Sequence, residues 1–208
     1  MKSNLIILQL ELGPLDNYNY ILGDRATGEA AIIDPSDQVA PLLDALKEHK
    51  LKLSAILLTH GHYDHVGGVD ELTKMMPIPV YLSEHEAFFY TPKCPGLTRT
   101  KDGEKIMMGS LEVECLHTPG HTPGCQCFLV EGNLFTGDTL FIDAIGRTDF
   151  PGGNGRAMVK SLQRIKMLPD DTVIWPGHHY GEPAHEKLGE LKRSNPYLAD
   201  GSKEADLS

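Results

Sequence analysis

Within six positions the chain carries three imidazoles and a carboxylate: His60, His62, Asp64 and His65, in the order H-x-H-x-D-H. Imidazole nitrogen and carboxylate oxygen suit a borderline cation such as Zn²⁺, and so short a loop can aim its donors at two different points. Two metal ions are therefore the expectation. A surface histidine cluster is the bland alternative, and this order of donors seldom arises by chance. Further donors recur downstream: His121 after Pro119-Gly120, Asp138 after Gly137, and His178 after Pro176-Gly177. Alone, each reads as a turn residue. Together with the first cluster they suit successive strands that all end at one edge of a layered fold, where sites usually sit.

The elements that must position these residues are short aliphatic and β-branched runs closed by Asp, Gly, His or Pro. They predict strands over 1–12, 30–33, 55–58, 80–82, 111–116, 126–130 and 173–175. Apolar residues at helical spacing predict helices over 39–49, 69–76 and 156–168, with one closing helix within 186–198. Strands mixed with helices imply an α/β layer architecture with sheets covered by helices on their outer faces. Residues 199–208 are polar and have little with which to form a core.

A chain of 208 residues, 40% hydrophobic, can enclose a sizeable core. Its net charge of −10 and its lack of a Lys/Arg-rich run argue against nucleic acid and anionic membrane as partners, and for a small-molecule substrate. The four cysteines, Cys94, Cys115, Cys125 and Cys127, form no C-x-x-C and read as reduced thiols. No export signal and no run of about 20 apolar residues is present, so the expected location is the cytoplasm. His49, His85 and His185 lack partners at metal spacing, and His117 and His179 flank the Pro-Gly-His turns without matching them.

The ordered set from Thr59 to His65, then Pro119-Gly120-His121, Thr136-Gly137-Asp138 and Pro176-Gly177-His178, resembles the metallo-β-lactamase superfamily, and within it the glyoxalase II-like thioesterases. The resemblance implies a four-layer αββα sandwich with two mixed sheets over residues 1–198, followed by the polar tail. It implies His60, His62 and His121 on one metal, Asp64, His65 and His178 on the other, Asp138 bridging both, and Asp34 steadying the site from behind. Two Zn²⁺ ions are implied, with Fe or Mn possible at either position. Asp64 and Asp138 would be the catalytic carboxylates around a metal-bridging hydroxide that attacks a thioester such as S-lactoylglutathione. The stretch from Gly146 to Gly153 places Arg147, and the end of the last strand places Tyr180, where the family contacts glutathione. Only 28 residues follow Tyr180, so the helical C-terminal domain of glyoxalase II proper is missing from this sequence.

Two alternatives share these motifs. Glutathione persulfide dioxygenases have a similar Gly-Arg-Thr-Asp-Phe stretch and a mononuclear iron, here on His60, His121 and Asp138. Lactone or other ester hydrolases of the superfamily are the third reading. The sequence leaves the oligomeric state open.

Overall fold

The computed structural model describes residues 3–86, 92 and 94–199. The chain runs β1 (Leu5–Glu11), β2 (Tyr18–Asp24), β3 (Glu29–Ile33), α1 (Val39–Glu48), β4 (Lys52–Leu57), α2 (Tyr63–Val66), α3 (Val69–Met75), β5 (Val80–Ser83) and β6 (Leu97–Thr100). It continues with β7 (Lys105–Met108), β8 (Leu111–His117), β9 (Gln126–Val130), β10 (Asn133–Gly137), α4 (Gly155–Lys166), β11 (Val173–Pro176), β12 (Glu186–Lys187) and α5 (Leu188–Ser194).

Two six-stranded sheets result, one in the order β1 to β6 and the other in the order β12 back to β7. Both are mixed. In the first, β1–β2–β3 pair antiparallel and β3–β4–β5–β6 parallel. In the second, only β10–β11 is parallel.

Strand alternation explains the layers. On β2, β3 and β4, Tyr20, Leu22, Ala31, Ile33, Ala55 and Leu57 face the other sheet and meet Val113, Cys115, Phe128, Val130 and Phe135 in the central core. The intervening Ile21, Ile32 and Ile56 face outward and are covered by Leu42 and Leu46 of α1 and Val69 and Leu72 of α3. On the opposite side, Cys127, Leu134 and Ile174 lie under Met158, Leu162 and Ile165 of α4 and Leu188 and Leu191 of α5. Strands buried on both faces read as continuous apolar runs, which is why β3 and β4 stand out in the sequence. The αββα sandwich expected from the motifs is the architecture found.

Helix α4 begins where Asn154 Oδ1 accepts the Ala157 N–H at 3.0 Å, a cap that contributes about 1 kcal/mol. The closing helix is shorter than expected, because residues 186 and 187 pair with β11 as an edge strand before α5 starts. Asn195 then ends it, its buried amide donating to the carbonyls of Phe141, Ile142 and Ala144 at 3.0 to 3.2 Å. Position 199 belongs to this ending; the rest of the polar tail lies outside the described residues. Among the described residues no helix is long and apolar enough to cross a membrane.

Candidate metal centre

The site lies where strands from both sheets end. Strand β4 hands over to the loop carrying His60 and His62, and the single turn of α2 presents Asp64 and His65 inward. From the second sheet come His121 in the loop after β8, Asp138 directly after β10, and His178 just after β11. Gly177 precedes His178 for a steric reason: a Cβ there would lie 2.6 Å from Asp138 Oδ1.

Six of the seven expected ligands fall into two sets. His60, His62 and His121 form one, Asp64, His65 and His178 the other, with the donor atoms of each within 4.8 Å of one another. Asp138 reaches both sets. Its Oδ1 stands 3.4 Å from His65 Nε2 and 3.3 Å from His178 Nε2, while Oδ2 stands 3.5 Å from His121 Nε2.

The outer nitrogens decide which lone pairs face inward. His121 Nδ1 donates to the Arg147 carbonyl at 2.8 Å, His178 Nδ1 to the Leu15 carbonyl at 2.8 Å, and His65 Nδ1 to Asp34 Oδ2 at 3.1 Å. Thr59 Oγ1 donates to Asp34 Oδ2 at 2.6 Å and so accepts from His60 Nδ1 at 3.0 Å. Four imidazoles thus turn Nε2 into the site. His65 Nε2 and His178 Nε2 then face each other at 3.1 Å, and His121 Nε2 faces His62 Nδ1 at 2.9 Å. Nitrogens held that close need a proton or a cation between them, and against their burial Asp138 pushes both His65 and His178 up, with Asp34 and Asp64 adding to the effect on His65.

Charge points the same way. Burial alone would raise the carboxyl of Asp138, but His65 and His178 hold it well below its usual range. Asp64 is likewise brought down to about 2 against its burial, by His65 and by the Asn17 amide that donates to its Oδ2 at 2.9 Å. His60 is kept neutral, its burial and the neighbouring His65 pushing it well below the ordinary imidazole value. Asp138 Oδ1 is buried and has no hydrogen-bond partner. Two carboxylates, five lone-pair donors and an orphaned oxygen make a donor set suited to two divalent cations.

Asp34, expected behind the site, is there. Its Oδ1 accepts the Thr59 N–H at 2.7 Å, and its backbone takes a left-handed φ of 50° that Asp tolerates better than most residues. Arg147 and Tyr180 both line a cavity of about 530 Å³ that opens onto His62, His121 and Asp138. The Arg147 guanidinium pairs with both oxygens of Asp149 at 2.6 Å and stands 4.2 Å above the Phe150 ring. The Tyr180 ring stacks on His178, with centroids 4.8 Å apart.

Histidines given no role stay apart from the centre. His117 stacks on His85, and His179 lies between Glu11 and Glu182. The cysteines are free; burial pushes Cys115 up to about 12 and Cys127 up to about 11, so neither is a thiolate. Sequence reasoning missed Asn17, which holds Asp64, and Asn195, which anchors the cavity wall at Phe141. An Asn outside a turn signature carries no mark of such work.

This fold and this donor set define a metallo-β-lactamase superfamily protein. The superfamily's sequence model matches residues 12–178, and the chain belongs to that family. It is 38% identical over 189 residues to the probable polyketide biosynthesis zinc-dependent hydrolase BaeB of Bacillus velezensis, covering 90% of this chain and 84% of that one. It is 40% identical over 166 residues to a hydroxyacylglutathione hydrolase of Pectobacterium carotovorum, covering 79% of this chain and 62% of that one. Among solved structures, ETHE1 from Myxococcus xanthus superposes with a TM-score of 0.87 at 34% identity, covering 97% of this chain and 88% of that one.

Proposed function

We propose that this chain is a metal-dependent hydrolase that cleaves thioesters at a binuclear centre, with hydroxyacylglutathione thioesters as the class its kinship with the Pectobacterium enzyme suggests. The observation that carries this reading is Asp138, whose two oxygens serve the two ligand sets separately. His60, His62 and His121 would hold one ion, and Asp64, His65 and His178 the other.

When bound, two cations, Zn²⁺ above all and Fe or Mn as substitutes, would lower the pKa of a water to about 7 and would polarise an acyl carbonyl. The chain's own residues do the rest. Asp64 and Asp138 border the cavity in ionised form and can accept a hydrogen bond from the attacking water, which orients it. Asn17 fixes the Asp64 oxygen, and the Arg147 and Leu15 carbonyls fix the rings of His121 and His178. A thiol of pKa near ~8.5 departs as thiolate without a proton from the protein, which suits a site with no evident general acid. Arg147 and Tyr180 are the proposed contacts to the thiol side. Burial, then Asp138 and Asp64, push the Tyr180 phenol up, so it stays a hydrogen-bond donor.

Elemental analysis together with S-lactoylglutathione turnover tests the reading. Two metal equivalents with thiol release are expected; metal-replete protein that releases no thiol from any thioester overturns it. A second reading takes His60, His121 and Asp138, whose Oδ2 stands 3.5 Å from His121 Nε2, as a two-His, one-carboxylate face for a single iron. One iron per chain with oxygen uptake on glutathione persulfide would establish that reading instead.

A further inference from the structure

Large apolar side chains left exposed are informative when they gather in one place. Seven described residues of this kind are exposed, and four of them, Leu15, Tyr63, Phe150 and Tyr180, line the cavity beside the metal centre. Tyr63 is 69% exposed although it lies between two proposed ligands on α2. Phe141 and Ile145 complete the wall, and the Asn195 amide ties down the backbone that carries Phe141.

Polar recognition is sparse by comparison. Apart from the proposed ligands, the described lining contains one formal charge, Arg147, which is already neutralised by Asp149. The Phe150 ring stands edge-on to His62 and His121, with centroids 5.7 and 5.9 Å away. A carbonyl placed at the metal ligands therefore has an aromatic wall next to it. The cavity, about 530 Å³, is in the size range of sites for drug-sized ligands, and it takes in the proposed thiol-side contacts Arg147 and Tyr180 together with the apolar wall.

We propose that this cavity selects thioesters by an extended aliphatic or aromatic acyl group, packed against Phe150, Tyr63 and Phe141, in preference to short 2-hydroxyacyl groups. The proposal rests on thioester hydrolysis as read above and replaces the short hydroxyacyl group suggested by kinship with one matched to this chain's own cavity wall. Phe150 is its main specificity determinant. A fully buried methylene would raise kcat/KM about fourfold, and a wall as exposed as Tyr63 and Phe150 buries each one only in part, so several-fold per pair of carbons is the expected gain.

The test uses the metal-replete protein and two parallel series, S-acyl-glutathiones and S-acyl-N-acetylcysteamines, each with acetyl, lactoyl, butyryl, hexanoyl and phenylacetyl groups. Thiol release is expected to rise several-fold with each pair of added carbons in at least one series, with hexanoyl at least tenfold above lactoyl. In Phe150→Ala, with metal content retained, the hexanoyl-to-acetyl ratio should fall about tenfold, mainly through KM. A flat chain-length profile, or lactoyl as the best acyl group, overturns this proposal and leaves thioester hydrolysis standing. No hydrolysis in either series overturns both.

Discussion

Asp34 stands behind His65, its Oδ2 accepting the imidazole Nδ1–H at 3.1 Å while its Oδ1 accepts the backbone N–H of Thr59 at 2.7 Å. One carboxylate thus orients a ligand of the second set and the threonine that orients His60 of the first. Outer partners of this kind change metal affinity about 10- to 100-fold when removed. Asp34→Ala should therefore weaken binding of the second metal by that factor, read by competition with a chromogenic chelator. Unchanged affinity would mean that Asp34 serves only the local backbone.

Asp138 gives a sharper contrast. Asp138→Asn keeps the shape but offers one neutral oxygen and an N–H₂ to a place lined by imidazole nitrogens, and removes the negative charge a cation pair would need there. Metal content should fall towards one equivalent or less, and kcat/KM should fall at least ~100-fold. Full metal content with near-normal hydrolysis would remove Asp138 from the bridging role.

Release of Arg147 from its ion pair tests whether its guanidinium meets the thiol side. In Asp149→Asn the guanidinium is freed to meet a carboxylate of glutathione, and KM for glutathione thioesters should fall roughly threefold to tenfold, while N-acetylcysteamine thioesters are unaffected. Equal KM shifts for both carriers would place Arg147 outside thiol recognition.

Far from the site, Asp24 ties the two sheets together at the other end. Burial would raise its carboxyl, but the N–H groups of Ser110 at 2.6 Å and Ala26 at 2.9 Å, with the Thr27 hydroxyl, bring it down to about 2. A carboxyl depressed in the folded state stabilises fully above its ordinary value near 3.8, and this contribution is lost as the pH falls towards 2. Asp24→Asn should cost about 1–2 kcal/mol at pH 7. The gap to the parent protein should close below about pH 3 in urea unfolding with chelator present throughout. A gap that persists at pH 2 would show that the loss comes from geometry and not from charge.

How far the chain could be read beforehand depended on how local the signal was. Strands β3, β4 and β9 were legible because their apolar runs are continuous. Strand β2 was not, since Asn19, Tyr20 and Asp24 interrupt it and are buried only because partners elsewhere satisfy them, as when Asn19 accepts the Ser36 N–H at 2.7 Å. Strands β7 and β10 were not legible either, β7 because it alternates from a charged Lys105 over only four residues and β10 because Asn133, Thr136 and Gly137 leave it two consecutive apolar residues. The ligand motif between Thr59 and His65 was legible because four donors share one loop. The carbonyls of Leu15 and Arg147, which fix two of the rings, leave no trace in residue type, since every residue carries a carbonyl.

The donor set is divided between the sheets: His60, His62, Asp64 and His65 follow β4 of one, and His121, Asp138 and His178 follow strands of the other. A cation pair seated there would act as a rivet through the sandwich. Chelation should accordingly lower the melting temperature as well as abolish turnover, because ions that bind only the folded state add their binding energy to folding. In the stripped protein the sheet edge at this end should exchange its amide hydrogens faster than the edge held by Asp24.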